Sequence, residues 1–245
     1  MEKRKGKWIS YFDLLDALRV PGCPLCNRVK DHSWKFLDNL FYERVTDVWT
    51  RVGLRKSKGF CNWHAWMSTE INNSNSGIAI IYKDLIDAEV EELHKWIKGK
   101  RFVRRINLGR GKRNHRTLLS AWIEKFSCPV CKLVGDHERM DAGVLLDFID
   151  EEAFSQEFEK SSGICIRHLI RTIRNFGEHP NLPLLVEKQL EKYRFLSDEL
   201  GEFIRKLDYR FSNEPKGSEV SSWKRAIEQF SGKKEVFGNE IDPYK

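Results

Sequence analysis

All six cysteines of the chain fall into one motif that is written twice. Cys23-Pro24-Leu25-Cys26 recurs as Cys128-Pro129-Val130-Cys131 at an offset of 105, with Val29, Asp31 and His32 recurring in step as Val134, Asp136 and His137. Gly59, Cys61 and His64 recur as Gly163, Cys165 and His168 at an offset of 104. Self-similarity at a fixed spacing marks an internal repeat, and a single residue of slippage across so long a unit points to duplication. The chain therefore reads as two tandem units over residues 1–98 and 116–211, with a connector over 99–115 and a tail over 212–245.

The apolar spacing predicts helices throughout. Tyr82, Ile86, Val90, Leu93 and Ile97 recur at intervals of three and four within a helix expected over 78–98. Val186, Leu190, Tyr193, Leu196, Leu200, Phe203 and Leu207 do so near the end of the second unit. A last short helix carries Trp223, Ile227 and Phe230 on one face. No stretch alternates with the period of a strand. The expected fold is all-α, two tandem repeated helical units each organised around its own Cys3His metal site.

The motif residues fit that chemistry. Proline is at home in the first position of a helix, because its missing N–H would be unpaired there. Cys23 then stands at the N-cap and Cys26 at the third helical position, where side chains converge as they do in a capping box. The positive end of the helix favours thiolate, the form that binds metal. Cys61 and His64, three apart, share a helix face. Within each unit the lengths allow the two helix starts to meet. The predicted ligands are therefore Cys23, Cys26, Cys61 and His64 in the first unit and Cys128, Cys131, Cys165 and His168 in the second. Three thiolates and one imidazole form a common closed zinc set. Two zinc ions are expected, with two iron–sulfur clusters as the alternative. Dithiol redox chemistry at CPLC and CPVC would not require the downstream Cys-x-x-His, and buried free cysteines would not require the pattern twice.

Other residues take structural readings. Asp31-His32 and Asp136-His137 lie off the cysteine face of their helices and are expected to make buried polar contacts instead of ligating. Phe60, Trp63 and Trp66 are expected to be core around the first site.

Hydrophobic residues make up 40% of the chain, enough for a real core. The formal charge of +7 is local: ten Lys and Arg residues and no acid lie between Leu93 and Ile123, and removing them leaves −3. Such a run attracts nucleic acid or another polyanion, or else serves as a solvated linker. No helix-turn-helix or finger spacing accompanies it. No signal-like segment or membrane-length apolar run is present, so a cytosolic protein is expected, where a reducing milieu disfavours disulfides.

The pattern Cys-Pro-x-Cys, then Gly-Phe-Cys-x-x-His-x-Trp (Gly59 to Trp66), with Ser222-Trp-Lys-Arg-Ala-Ile227 near the end, resembles a family of uncharacterised prokaryotic proteins with duplicated CPxC and GxCxxH motifs. The second copy departs from the first at Leu169-Ile170, where the first has Ala65-Trp66. The resemblance implies a soluble metal-binding protein and names no substrate. No phosphate-binding loop and no nucleophile beside a base is visible, and four protein ligands leave a zinc ion no open position for water. The expected function is non-enzymatic binding in a regulatory or adaptor role, with a polyanion or a protein partner. The alternative is electron transfer or redox sensing on clusters.

Overall fold

A computed structural model describes residues 9–106, 128–211, 213–234 and 236, with the backbone alone over 99–106. The helices, in chain order, are α1 (Ile9–Leu18), α2 (Pro24–Asn39), α3 (Val48–Lys56), α4 (Asn62–Met67), α5 (Asn75–Ile106), α6 (Pro129–Phe148), α7 (Glu152–Lys160), α8 (Ile166–Phe176), α9 (Leu182–Arg205) and α10 (Ser222–Ser231). There is no strand among the described residues, so the fold is all-α as expected. No helix among them is long and apolar enough to cross a membrane.

The chain divides into two compact units, Met1–His32 with Gly135–Lys245, and Ser33–Val134. These boundaries fall inside α2 and α6.

The first unit has its core where α1, the start of α2, the end of α6, α7 and α9 converge. Leu14, Leu25, Leu145, Leu146, Ile149, Phe154, Phe158 and Leu185 are fully buried and belong to one cluster with Cys23, Cys26 and Cys165. Tyr11 anchors α1 there. Its ring meets Phe148 edge-on at 4.8 Å, and its hydroxyl donates to Glu151 at 2.9 Å. Helices α2 and α6 run antiparallel in this unit. Arg28 Nε donates to Asp141 at 3.2 Å and His32 stacks on His137 with ring centroids 4.0 Å apart, so the residue numbers run in opposite directions along the pair. The start of α2 therefore lies beside the end of α6.

In the second unit α3 packs on α5. Asp47 caps α3 by accepting from the Thr50 N–H, the ordinary way to satisfy a free donor at a helix start. Asp84 of α5, itself buried, accepts from Arg55 Nε at 2.6 Å and also pairs with Arg51.

Three local expectations change. Helix α5 begins at Asn75 and continues to Ile106, through the first residues of the expected connector; the rest of that connector, 107–115, lies outside the described residues, as do 116–127. The stripe expected to face a core on α5 is exposed, with Ile86 60%, Val90 45% and Ile97 46% accessible, while Ile81 and Asp84 point inward. Periodicity identifies a helix and its apolar face, but not what covers that face. Phe60 is core and Trp63 half-buried, whereas Trp66 is 68% exposed.

Candidate metal centres

Four helix starts carry the eight predicted ligands, and all four are built alike. Pro24 and Pro129 are the first residues of α2 and α6, so Cys23 and Cys128 precede the helices and Cys26 and Cys131 occupy their third positions. The carbonyls of Cys23 and Cys128 accept the first intrahelical bonds, from Asn27 and Lys132. Cys61 and Cys165 are the N-caps of α4 and α8, with extended backbones, and His64 and His168 are third in those helices. The Cys61 sulfur itself caps α4, accepting from the His64 N–H. Gly59 and Gly163, two residues upstream, turn the chain into these caps at φ of 90° and 72°, a region that L side chains avoid.

The eight side chains gather into two sets of four, each with its ligand atoms within 4.8 Å of one another. The sets are Cys23, Cys26, Cys165 and His168 in the first unit, and Cys61, His64, Cys128 and Cys131 in the second. Both are Cys3His groups able to hold a metal ion, and none of the six cysteines is in a disulfide. Their composition corrects the sequence reading, which paired each CPxC with the Cys-x-x-His that follows it. Each CPxC meets the other Cys-x-x-His instead. The antiparallel packing of α2 and α6 is the reason. Helix α2 carries the chain roughly 20 Å along its axis from Cys26 to Asn39 at 1.5 Å per residue. The end of α6, beside Cys23 and Cys26, then leads through α7 to Cys165.

The distances are uniform. In the first set, His168 Nδ1 lies 3.4 Å from the Cys23 sulfur, 3.4 Å from Cys26 and 3.2 Å from Cys165, with the Cys26 and Cys165 sulfurs 3.8 Å apart. In the second, His64 Nδ1 is 3.2 Å from Cys61, 3.6 Å from Cys128 and 3.4 Å from Cys131, with Cys61 and Cys131 3.7 Å apart. Both imidazoles thus present Nδ1 to the sulfurs and turn Nε2 away.

The outward nitrogens meet partners that the sequence reading did not single out. His64 Nε2 lies 3.2 Å from Ser33 Oγ. His168 Nε2 lies 3.4 Å from Glu138 Oε1, and the other oxygen of that carboxylate accepts from Arg171 at 2.7 Å. Such partners fix a histidine's ring orientation and tautomer. A signal was available: Ser33 and Glu138 follow His32 and His137 and match at the same offset of 105. The Asp-His pairs do not ligate, as expected. His32 and His137 stack on one another, with Asp141 3.4 Å from His32 Nε2. Burial and the neighbouring His32 hold His137 below its ordinary range, so it is uncharged near neutrality.

Electrostatics favour a cation in both sets. Hydrogen bonds from Cys128 and Cys131 hold the Cys61 thiol far below its usual range, and those from Cys23 and Cys26 do the same for Cys165. The cost falls on their neighbours. Cys26, bonded to Cys165 and Cys23, and Cys131, bonded to Cys128 and Cys61, are pushed far up. Burial would lower His64, yet Cys128 and Cys61 raise it to about 9, and His168 is likewise raised over the opposing effect of burial by Cys23 and Cys165. Without a cation, three clustered thiols cannot all ionise, and a bound divalent ion removes that restriction. Two helix N-termini also point at each set, and their partial positive charge suits a net anionic thiolate site.

The sets differ in cover. In the first, all four ligands are buried, and the segment after α10 closes over it: the Lys233 N–H donates to the Cys26 sulfur at 3.4 Å and Lys233 Nζ to Asn27 at 2.7 Å. In the second, Cys61, His64 and Cys128 are buried and Cys131 is exposed.

No curated protein and no solved structure matches the chain. A family model does, over residues 8–236, and the chain belongs to that family, one of unknown function designated DUF6062.

Proposed function

We propose that the protein is a non-enzymatic module holding two structural zinc ions, each clamping two helix N-termini that are distant in sequence. The observation that carries this reading is the size of the ligand sets. A tetrahedral zinc with Zn–S of about 2.3 Å and Zn–N of about 2.0–2.1 Å places its sulfurs roughly 3.8 Å apart and sulfur and nitrogen roughly 3.6 Å apart. The sulfur pairs at 3.7 and 3.8 Å and the sulfur–nitrogen pairs at 3.2–3.6 Å fit one ion of that kind. An iron–sulfur cluster spreads its protein ligands over more than one iron, and ligands on different irons stand farther apart than this. The compactness therefore favours zinc over the cluster alternative. Four protein donors complete a tetrahedral shell and leave no place for a catalytic water. That supports action through binding, in a regulatory or adaptor role.

The partner feature is the basic run from Lys95 to Arg116, which we assign to a polyanion such as nucleic acid on its charge alone. Elemental analysis and an absorption spectrum of protein purified anaerobically without chelator test the metal reading. Close to two zinc per chain and no visible absorption are expected. Iron with broad absorption near about 400 nm would replace zinc by clusters, and a metal content near zero would end the reading.

A further inference from the structure

The two ligand sets have the same composition and different access, and this difference predicts chemistry at one of them. In the set of the first unit, His168 is buried against Glu138, and the Lys233 backbone occupies the Cys26 sulfur. Cys131, the counterpart of Cys26 in the repeated motif, has no such cover among the described residues and is exposed, while its three companions are buried. A metal-bound thiolate retains a nucleophilic lone pair, and reaction with an electrophile or oxidant requires access as well as thiolate character.

We propose that Cys131 is a thiolate modification site, at which soft electrophiles and peroxides attack the second metal centre while leaving the first intact. This rests on the metal-binding reading above. With a peroxide of the form ROOH, the Cys131 sulfur attacks one oxygen and the O–O bond breaks. The departing RO⁻ takes a proton from water, and Cys131 becomes a sulfenic acid. The Cys61 sulfur, 3.7 Å away, then displaces hydroxide to form a disulfide. The displaced hydroxide takes a proton from the solvent, so two sulfurs together lose two electrons and the peroxide is reduced to alcohol and water, and the remaining His64 and Cys128 no longer complete a tetrahedral set. One ion leaves. The chain thus carries one sealed structural centre and one that responds to oxidants.

The experiment uses the full chain as purified, with its metal. It is treated separately with substoichiometric N-ethylmaleimide and with hydrogen peroxide, and peptide mapping is read beside zinc release to a chromogenic chelator. Maleimide is expected on Cys131 at least about tenfold faster than on Cys26. Peroxide is expected to release one of two zinc ions, with Cys131 in the disulfide and Cys23, Cys26 and Cys165 still reduced. Equal labelling of Cys26 and Cys131, or loss of both ions together, overturns the proposal. If the untreated protein carries no metal, the functional reading itself falls, whereas two bound zinc ions with unselective labelling sink this proposal alone.

Discussion

At the level of single residues, the ligands themselves are what the sequence states most plainly. Every one of the eight stands where local chemistry requires, at an N-cap or at the third position of its helix. The residues that hold the imidazoles are less conspicuous, because serine and glutamate share no chemistry that a repeat search would match. Ser33 and Glu138 nevertheless have one task. Removing such a partner costs about 10–100-fold in metal affinity in comparable sites. Glu138→Gln is expected to weaken the centre of Cys23, Cys26, Cys165 and His168 by that order, and Ser33→Ala the other centre. Full stoichiometry should be kept at saturating zinc. Competition titration with a chelator of known affinity measures this, and unchanged affinity in both variants would remove the orienting role.

At the level of helices, existence and type were legible and pairing was not. The intervals of three and four in α5 and α9, Pro24 and Pro129 at helix starts, and Asp47 at the cap of α3 are all local signals. Which helix face is covered depends on elements far away in the chain, and the exposed stripe of α5 shows the consequence. The antiparallel contact of α2 with α6 rests on Arg28 with Asp141 and on His32 with His137, pairs that each join one copy of the motif to the other.

The contact of α3 with α5 gives a pH prediction. Arg55 and Arg51 hold Asp84 below the usual carboxylate range. A group whose folded pKa is depressed contributes stability above its unfolded value of about 3.9, and that contribution is lost as pH falls through the folded value. Asp84→Asn should therefore be less stable than the wild type at pH 7 and show a shallower loss of stability below about pH 4. Chemical denaturation across pH measures both. Parallel acid limbs would show that the carboxylate is not ionically held.

For the molecule as a whole, two copies of one motif written in tandem invite the assumption that each makes its own site, and chain length permits it. Length does not decide it. Two CPxC segments and two Cys-x-x-His segments are chemically interchangeable, so only the packing of the long helices selects partners. The basic run is the reverse case, plain in the sequence and with residues 107–116 outside the described structure. If it binds a polyanion, affinity for duplex should fall with salt at about 0.9 counterions per phosphate neutralised. Arg104, Arg105, Arg110, Lys112 and Arg113 changed together to glutamine should flatten that slope while metal content stays unchanged. Absence of salt-sensitive binding by the wild type would leave the run as a linker.

The central claim is the exchange of ligands between the two copies of the motif, and counting metal in two double variants tests it most directly. Cys26→Ser with Cys165→Ser removes two ligands from one set, whereas Cys26→Ser with Cys61→Ser removes one from each. Elemental analysis of the folded proteins should find close to one ion per chain in the first variant and close to none in the second. The opposite result, one ion retained when Cys26 and Cys61 are both lost and none when Cys26 and Cys165 are, would mean that each motif copy builds its own site and would contradict the account.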